Sequence, residues 1–483
     1  MSATPAATGQ MALRHLVSTA QLDEHGLLQA HVGEDVQIHD VTHDSRQVRS
    51  GSLFCCISGE QLDGHDFAQN AIDAGASALL VDHELPVGIP QVVVRDVRMV
   101  MGLLAAALRN FPSTRLHVVG VTGTNGKTTT AHLLAEILRA HGWKTEMVGT
   151  LSSARTTPES TDLQRMLAQF ESEGVNAVVM EVTSHALELH RVVGTQFEVS
   201  IFTNLSQDHL DFHHTMEKYF AAKAKLFTRD FSRLAIVNRD DVHGQLLLDT
   251  IEIDAKSYGM SDVSDVRMDA RHLEYEISGV HIRSGLGGQF NVMNTLAAVS
   301  AAQSLGISLE EIARGLDGAT AVPGRFESVD MGQKFDVIVD YAHTPDALER
   351  VLDSSRSLMS ENGKLILVFG CGGDRDVEKR QPMGEIAGAK ADVVIITSDN
   401  PRSESASHIA AQVNAGVRAS DSHKVLSTEL DRRAAIGMAF SIAHPGDVVV
   451  IAGKGHESTQ TIGAEIIPFN DAQVARELLG ART

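Results

Sequence analysis

The chain has 483 residues, too many for one hydrophobic core, and its 43% hydrophobic and 21% charged residues are a globular composition that excludes a disordered chain. Its formal charge of −21 argues against a nucleic-acid partner, because such partners are held by surplus Lys and Arg. Any anionic ligand must therefore be held by local features. The N-terminus, MSATPAATGQMALRHLV, lacks a basic start followed by an apolar core, so no secretory signal is expected. The most apolar helical stretch, MVMGLLAAAL, has about half the length that a membrane span requires, and a cytoplasmic protein without membrane insertion is expected. Cys55, Cys56 and Cys371 fit a reducing compartment and form no zinc pattern; the first two, in SLFCCIS, read as strand packing.

In chain order the apolar, β-rich runs are ALLVD, QVVVRD, LHVVGVTG, AVVMEV, VSIFTNL, LAIVN, DVIVDYA, LILVFG, DVVIITSD and DVVVIAG. Several are continuous rather than alternating, as strands buried on both faces are, and helical patterns lie between them. The expected architecture is α/β with largely parallel sheets. Pro and Gly interrupt the periodicity at FPST and at AVPGRFE, giving expected domains 1–112, 113–322 and 323–483. No short-period repeat is present.

The first chemical motif is LHVVGVTGTNGKTTTAHLLAEIL, a buried strand entering a glycine-rich turn and leaving as an amphipathic helix. Backbone N–H groups and the helix N-terminus converge there on one point, the arrangement that cradles phosphate. Lys127 can reach a terminal phosphate oxygen and the Thr128 hydroxyl can ligate Mg²⁺, although Val121 occupies the first glycine position of the strict pattern. ATP or a close relative is the expected ligand. Downstream, VVMEVTSHALELHRV places Glu181 at a strand end, and IFTNLSQDHLDFHHTMEKYFAAKAKLF places Asn204, Asp208, His209 and Asp211 after another. Together these donors favour a Mg²⁺ centre beside the phosphates. Singly, Glu181 could cap a helix and His209 could be a satisfied edge histidine. Nearer the C-terminus, Asp399, Asn400, Pro401 and Arg402 follow a β-branched run, which alone reads as ordinary turn chemistry.

The ordered set GTNGKTTT, MEVTSHAL, TNLSQDHLDFH, YFAAKAKLF, GRFE, DYAHTPDAL, GCGGDRDVEKR, DNPRSE and AGKGHE, preceded by HDSRQVRSGSLF and SGEQLDGHDF, resembles the Mur ligases over nearly the whole chain. Within that family it is similar to the branch that adds the third residue of the peptidoglycan stem peptide. The resemblance implies three domains: an N-terminal one for the uridine nucleotide, a central P-loop ATPase, and a C-terminal Rossmann-like α/β domain for the incoming amino acid. It implies ATP contacts at Gly123, Thr124, Asn125, Gly126, Lys127, Thr128, Thr129, Asn204, Arg325, Asp340 and His343. Contacts to UDP-MurNAc-L-Ala-D-Glu are implied at Ser45, Glu60, Gln61, Leu62, Thr156, Thr157, Thr183 and Arg191. Thr183 is more often Ser in the family, and Arg155 stands where Asn is common. Lys127, His209 and Lys223 are the implied catalytic residues, with Mg²⁺ held by Thr128, Glu181, His209 and Lys223, the last as a CO₂-derived carbamate; without the family match Lys223 would read as an exposed helix lysine. Domain closure and a monomer are further expectations.

The DNPR motif implies meso-diaminopimelate, whose distal carboxylate suits the planar guanidinium of Arg402, with Arg375, Asp399, Asn400, Pro401, Gly453 and Glu457 as further contacts. L-Lysine is the competing acceptor. A folylpolyglutamate synthetase shares the central architecture but has no reason to carry DSR…DGHDF or DNPR. A nucleotide-dependent switch module would leave GGDRD, DNPR and GKGHE unexplained.

Overall fold

The computed structural model describes residues 9–481 apart from 60–61, 154 and 421–424. The described chain divides into two compact units. One comprises the residues up to Gly123 together with Gly142–Phe202 and Thr215–Ser257; the other comprises Thr124–His141, Thr203–His214 and the chain from Tyr258 onward.

Besides a two-residue pairing of Met11–Ala12 with Gln37–Ile38, the first unit holds two larger sheets. The N-terminal sheet is built from β1 (Leu28–Val32), β2 (Asp40–Thr42), β3 (Ser52–Cys55), β4 (Ala76–Val81) and β5 (Gln91–Val94), in the order β1-β5-β4-β3-β2. All its pairings are parallel except β1 with β5. Successive residues of its strands point to opposite faces and both faces are covered. Leu53, Cys55, Leu80 and Val92 pack on the side of α1 (Val97–Leu108), and Phe54, Cys56, Leu79 and Val81 pack on the other. The two cysteines are thus strand packing, as their apolar run predicts.

The second sheet of this unit contains β6 (His117–Thr122), β7 (Thr145–Val148), β8 (Ala177–Glu181), β9 (Phe197–Phe202), β10 (Ser232–Asn238) and β11 (Asp254–Tyr258), ordered β11-β10-β9-β6-β8-β7. β7 to β10 are parallel, with Glu181 in register with Val121 and Phe202 with Thr122. The register brings the carboxyl ends of β6, β8 and β9 side by side, which is where open α/β sheets bind ligands.

In the second unit, α2 (Lys127–Ala140) packs against α4 (Phe290–Ser304) and α5 (Leu309–Asp317). Gly315 permits that approach, since a Cβ there would lie 2.9 Å from the Ile137 Cα. An antiparallel sheet of β12 (Ser264–Met268), β13 (Leu273–Ile277) and β14 (Val280–Ser284) follows β11. The C-terminal sheet has β15 (Glu327–Ser328), β16 (Asp336–Asp340), β17 (Leu365–Phe369), β18 (Val393–Ile396), β19 (Val425–Thr428) and β20 (Val448–Ala452), in the order β15-β16-β20-β17-β18-β19. Only β15 is antiparallel. A hairpin, β21 (Thr459–Ile462) with β22 (Glu465–Pro468), follows.

All ten apolar runs are strands, and the architecture is α/β. No helix of the described residues is long and apolar enough to cross a membrane.

Candidate active site

The phosphate-loop segment behaves as its sequence predicts. Gly123 and Gly126 take φ of 148° and 86°, and a Cβ on Gly126 would collide with the Asn294 side chain. Within the second unit the loop is clamped from one side. Asn204 accepts from the Asn125 amide at 3.0 Å and donates back to its carbonyl at 3.0 Å, and the Thr203 hydroxyl donates to the same carbonyl at 2.7 Å. Asp346, at the start of α6 (Pro345–Arg356), accepts from Asn125 Nδ2 at 2.7 Å and from the Ser206 hydroxyl at 2.8 Å. Lys127 Nζ folds back onto the Thr124 carbonyl at 2.8 Å, and Thr129 is buried in the first turn of α2. Sequence reasoning found Asn204 but not Ser206, Asp346 or Asn294; the last two lie in PDAL and NTLAA, which have no local signal of phosphate chemistry.

In the same unit Arg325 reaches the Thr128 hydroxyl at 3.2 Å and lies 4.4 Å above the Tyr341 ring. Asp340 ends β16, accepting from the amides of Phe326 at 2.6 Å and Ala342 at 2.7 Å. Burial outweighs those amides and Arg325, pushing the Asp340 carboxyl up to about 6. His343 Nδ1 donates to the Tyr341 carbonyl at 2.8 Å, and burial first, then the Lys379 charge, pulls the ring down to about 4. Asp208 is held below the usual carboxylate range, since His209, His343 and the His209 amide outweigh burial. His209 adopts φ 54°, with Nε2 3.4 Å from Asp208 Oδ2. Asp211 lies in the first turn of the short helix that follows.

In the first unit Glu181 closes β8 and is buried, its carboxylate accepting from the Thr150 amide at 2.8 Å and the Thr150 hydroxyl at 3.3 Å. It does not cap the next helix; Thr183 does, accepting from the Ala186 amide at 3.2 Å. Thr157 donates to the Glu181 carbonyl at 2.9 Å and accepts from the Thr183 amide at 3.1 Å, while Thr156 meets the Thr150 hydroxyl at 3.2 Å. Arg191, Arg155 and Arg98 surround one buried carboxylate, Glu159, at 3.0, 2.6 and 3.4 Å. Three guanidinium groups on one carboxylate leave a local surplus of positive charge; of the three arginines, the sequence points to Arg191 as a ligand contact. Lys223, on α3 (Met216–Ala224), is 1% exposed and donates to the Gly123 carbonyl at 2.8 Å. The reading of Lys223 as an exposed helix lysine is therefore wrong: its place on α3 turns it inward. Ser45 begins a short turn capped by Asp44, Leu62 is 68% exposed, and Glu60 and Gln61 lie outside the described residues.

The DNPR segment follows β18. Arg402 adopts φ 51°, pairs with the hairpin through its amide on the Thr461 carbonyl at 3.1 Å, and sends Nη1 to the Gly373 carbonyl at 2.6 Å. Asn400 donates to Glu457 at 2.7 Å, and the fully buried Lys454 ammonium bonds Glu457 at 2.8 Å. Burial raises the Glu457 carboxyl, but the Lys454 bond and charge together with the Asn400 bond keep it below its ordinary range, as an anion. Asp399 is buried and raised by that burial; Gly453, at φ 113°, leaves room for its carboxylate. Pro401 is buried and Arg375 is exposed.

Three family models match: "Mur ligase family, catalytic domain" over residues 37–112, "Mur ligase middle domain" over 121–302 and "Mur ligase, glutamate ligase domain" over 324–455. The chain belongs to the Mur ligase family. Among Mur ligases it is 46% identical over 477 residues to the UDP-N-acetylmuramoyl-L-alanyl-D-glutamate--2,6-diaminopimelate ligase of Geobacillus kaustophilus, covering 94% of this chain and 97% of that protein. The protein of the same name from Aquifex aeolicus is 44% identical over 92% of this chain and 94% of its own length. A solved structure of a ligase with that name is 33% identical, with a TM-score of 0.66 over 92% of this chain and 95% of that one. A Mycobacterium tuberculosis folylpolyglutamate synthase, at 19% identity and TM-score 0.60 over 78% of this chain and 94% of that one, shares the fold alone.

Proposed function

We propose that this Mur ligase joins meso-2,6-diaminopimelate to UDP-N-acetylmuramoyl-L-alanyl-D-glutamate, using ATP, in the cytoplasmic synthesis of peptidoglycan precursors. The observation that carries the acceptor is the tethered pair of opposite charges around Asn400: Arg402, fixed at φ 51° on the Gly373 carbonyl, and Glu457, fixed by Lys454 and Asn400. A distal carboxylate and a distal ammonium are what such a pair recognises; L-lysine offers only the ammonium. Asp399, Pro401, Gly453 and Arg375 complete the proposed amino-acid site.

The D-glutamyl carboxylate takes the γ-phosphoryl group of ATP and ADP leaves. The amine of the incoming amino acid then attacks the acyl carbon, loses a proton, and the C–O bond to phosphate breaks. Lys127 and Arg325 neutralise charge on the crowded oxygens, and the phosphate loop with Asn204 positions the nucleotide. The cationic surplus around Glu159, with Thr156, Thr157, Thr183, Ser45 and the 60–62 segment, serves the sugar nucleotide. The oxygen donors Thr128 and Glu181, with His209, suit a hard cation such as Mg²⁺, which supplies charge neutralisation when bound. Lys223 joins that set only as a carbamate, since an ammonium cannot ligate. The domains run 1–112, 113–322 and 323–483, and the working form is a monomer.

The deciding assay is ADP release by the purified enzyme with the sugar-nucleotide dipeptide and either meso-diaminopimelate or L-lysine. Diaminopimelate is expected to be preferred by at least about 100-fold in kcat/KM, a site built for a polar group rejecting the analogue that lacks it. Arg402→Ala is expected to raise the diaminopimelate KM steeply while leaving the ATP KM near its original value. Equal use of the two amino acids would overturn the acceptor assignment.

A further inference from the structure

In the first unit the segment after β3 and the end of β4 bring together two imidazoles and a carboxylate that have no part in the reaction above. His65 lies in a short turn, Gly64–Phe67, capped by Asp63. Asp63 Oδ1 accepts from the His65 amide at 3.0 Å and lies 2.6 Å from His65 Nδ1. The Nδ1–H donates to that carboxylate, which leaves Nε2 as the ring atom turned toward Asp82. That Nε2 is buried and makes no hydrogen bond, in a side chain only 6% exposed. It lies 3.2 Å from Asp82 Oδ1.

His83, the next residue after Asp82, adds a third donor. Its Nδ1 is 2.5 Å from the same Asp82 oxygen, and its ring stacks on His65 with centroids 4.6 Å apart. The three donor atoms lie within 4.8 Å of one another. The Asp63 contact is the carboxylate–imidazole arrangement that orients a metal-bound histidine, and the half-exposed Asp82 and exposed His83 leave the remaining positions open to solvent. Two imidazole nitrogens beside a single carboxylate oxygen select a borderline ion over Mg²⁺ or Ca²⁺, which prefer oxygen donors. Cys56, buried just after β3, is not one of the three clustered donors.

We propose that His65 Nε2, Asp82 Oδ1 and His83 Nδ1 form a site for a divalent transition ion of the zinc class, tying the Gly64–Phe67 turn to the end of β4. Binding displaces the proton between His83 Nδ1 and Asp82 Oδ1 and places the ion between His65 Nε2 and the Asp82 carboxylate.

The test is equilibrium dialysis of the tag-free, chelator-treated full chain against Zn²⁺, and separately against Co²⁺, in a large excess of Mg²⁺ that occupies oxygen-rich sites. Wild type is expected to retain one tightly bound equivalent and to develop visible Co²⁺ absorption. His83→Ala and Asp82→Asn are expected to weaken that equivalent at least tenfold, with Mg²⁺-supported ligase activity of His83→Ala unchanged. Identical stoichiometry and affinity in wild type and His83→Ala, or no binding by wild type at micromolar ion, would overturn the proposal.

Discussion

Asp340 and His343, three residues apart, are displaced in opposite directions, one up to about 6 and the other down to about 4. As the pH falls from about 6 towards 4, folded Asp340 takes up a proton that the unfolded chain does not, so acidification favours the fold at this residue. His343 has the opposite sign: below its ordinary value of 6.5 the unfolded chain is protonated and the folded chain resists until about 4, so acidification opposes the fold. Asp340→Asn is therefore expected to steepen the loss of thermal stability between pH 6 and 4, and His343→Gln to flatten it. Parallel Tm-against-pH curves for both variants and wild type would remove the two groups from the acid response. Neither shift was legible in DYAHTPD, because desolvation depends on what the fold lays over a residue. Lys223 makes the same point. It stands two residues from Lys225 in YFAAKAKLF, yet Lys225 pairs with Glu188 at the surface while Lys223 is buried against the Gly123 carbonyl. Helix phase and the neighbouring loop decide between them.

At the scale of elements, buried parallel strands announce themselves as continuous apolar runs, and all ten such runs are strands. The strands left unread belong to other classes. β13 buries Leu273, Tyr275 and Ile277 and turns Glu274 and Glu276 outward, so it shows alternation rather than a run. β7 is a short edge strand with a polar start. Also unread was the support behind the DNPR segment. Arg432, on the helix Arg432–Ile442, and Asp471, opening the helix Asp471–Gly480, form a fully buried pair at 2.7 Å. Arg432 also donates to the Ser398 carbonyl at 3.3 Å and the Ala452 carbonyl at 2.9 Å, fastening the loops that leave β18 and β20. The two residues are 39 apart in sequence, and each alone reads as a helix-end charge. Asp471→Asn leaves a buried guanidinium without its counter-charge and is expected to cost about 3–5 kcal/mol of stability, measured by denaturant unfolding. Because Asp399 and Gly453 follow directly on the two fastened carbonyls, the same variant is expected to raise the diaminopimelate KM more than the ATP KM. A loss below about 1 kcal/mol would mean that water or another anion compensates Arg432.

For the molecule as a whole, 62 acidic against 41 basic residues set a field that repels the anions a ligase of this kind must bind. Attraction is confined to short range, where Arg98, Arg155 and Arg191 outnumber Glu159 in one unit and Lys127 with Arg325 flank the phosphate-loop threonines in the other. Such contacts act within a few ångströms, inside the screening length of about 8 Å at physiological salt, whereas the repulsion from −21 charges extends over about 30 Å only when salt is near 0.01 M. Raising the ionic strength over that range, at fixed free Mg²⁺, should screen the far field more than the local contacts. kcat/KM for the sugar nucleotide is therefore expected to stay level or rise, the reverse of the steep fall shown by proteins that bind polyanions through a basic surface. Steady-state rates at subsaturating sugar nucleotide, measured across that range of salt, test this directly. A tenfold fall would show that the local guanidinium surplus, and not the acidic surface, governs the approach of substrate.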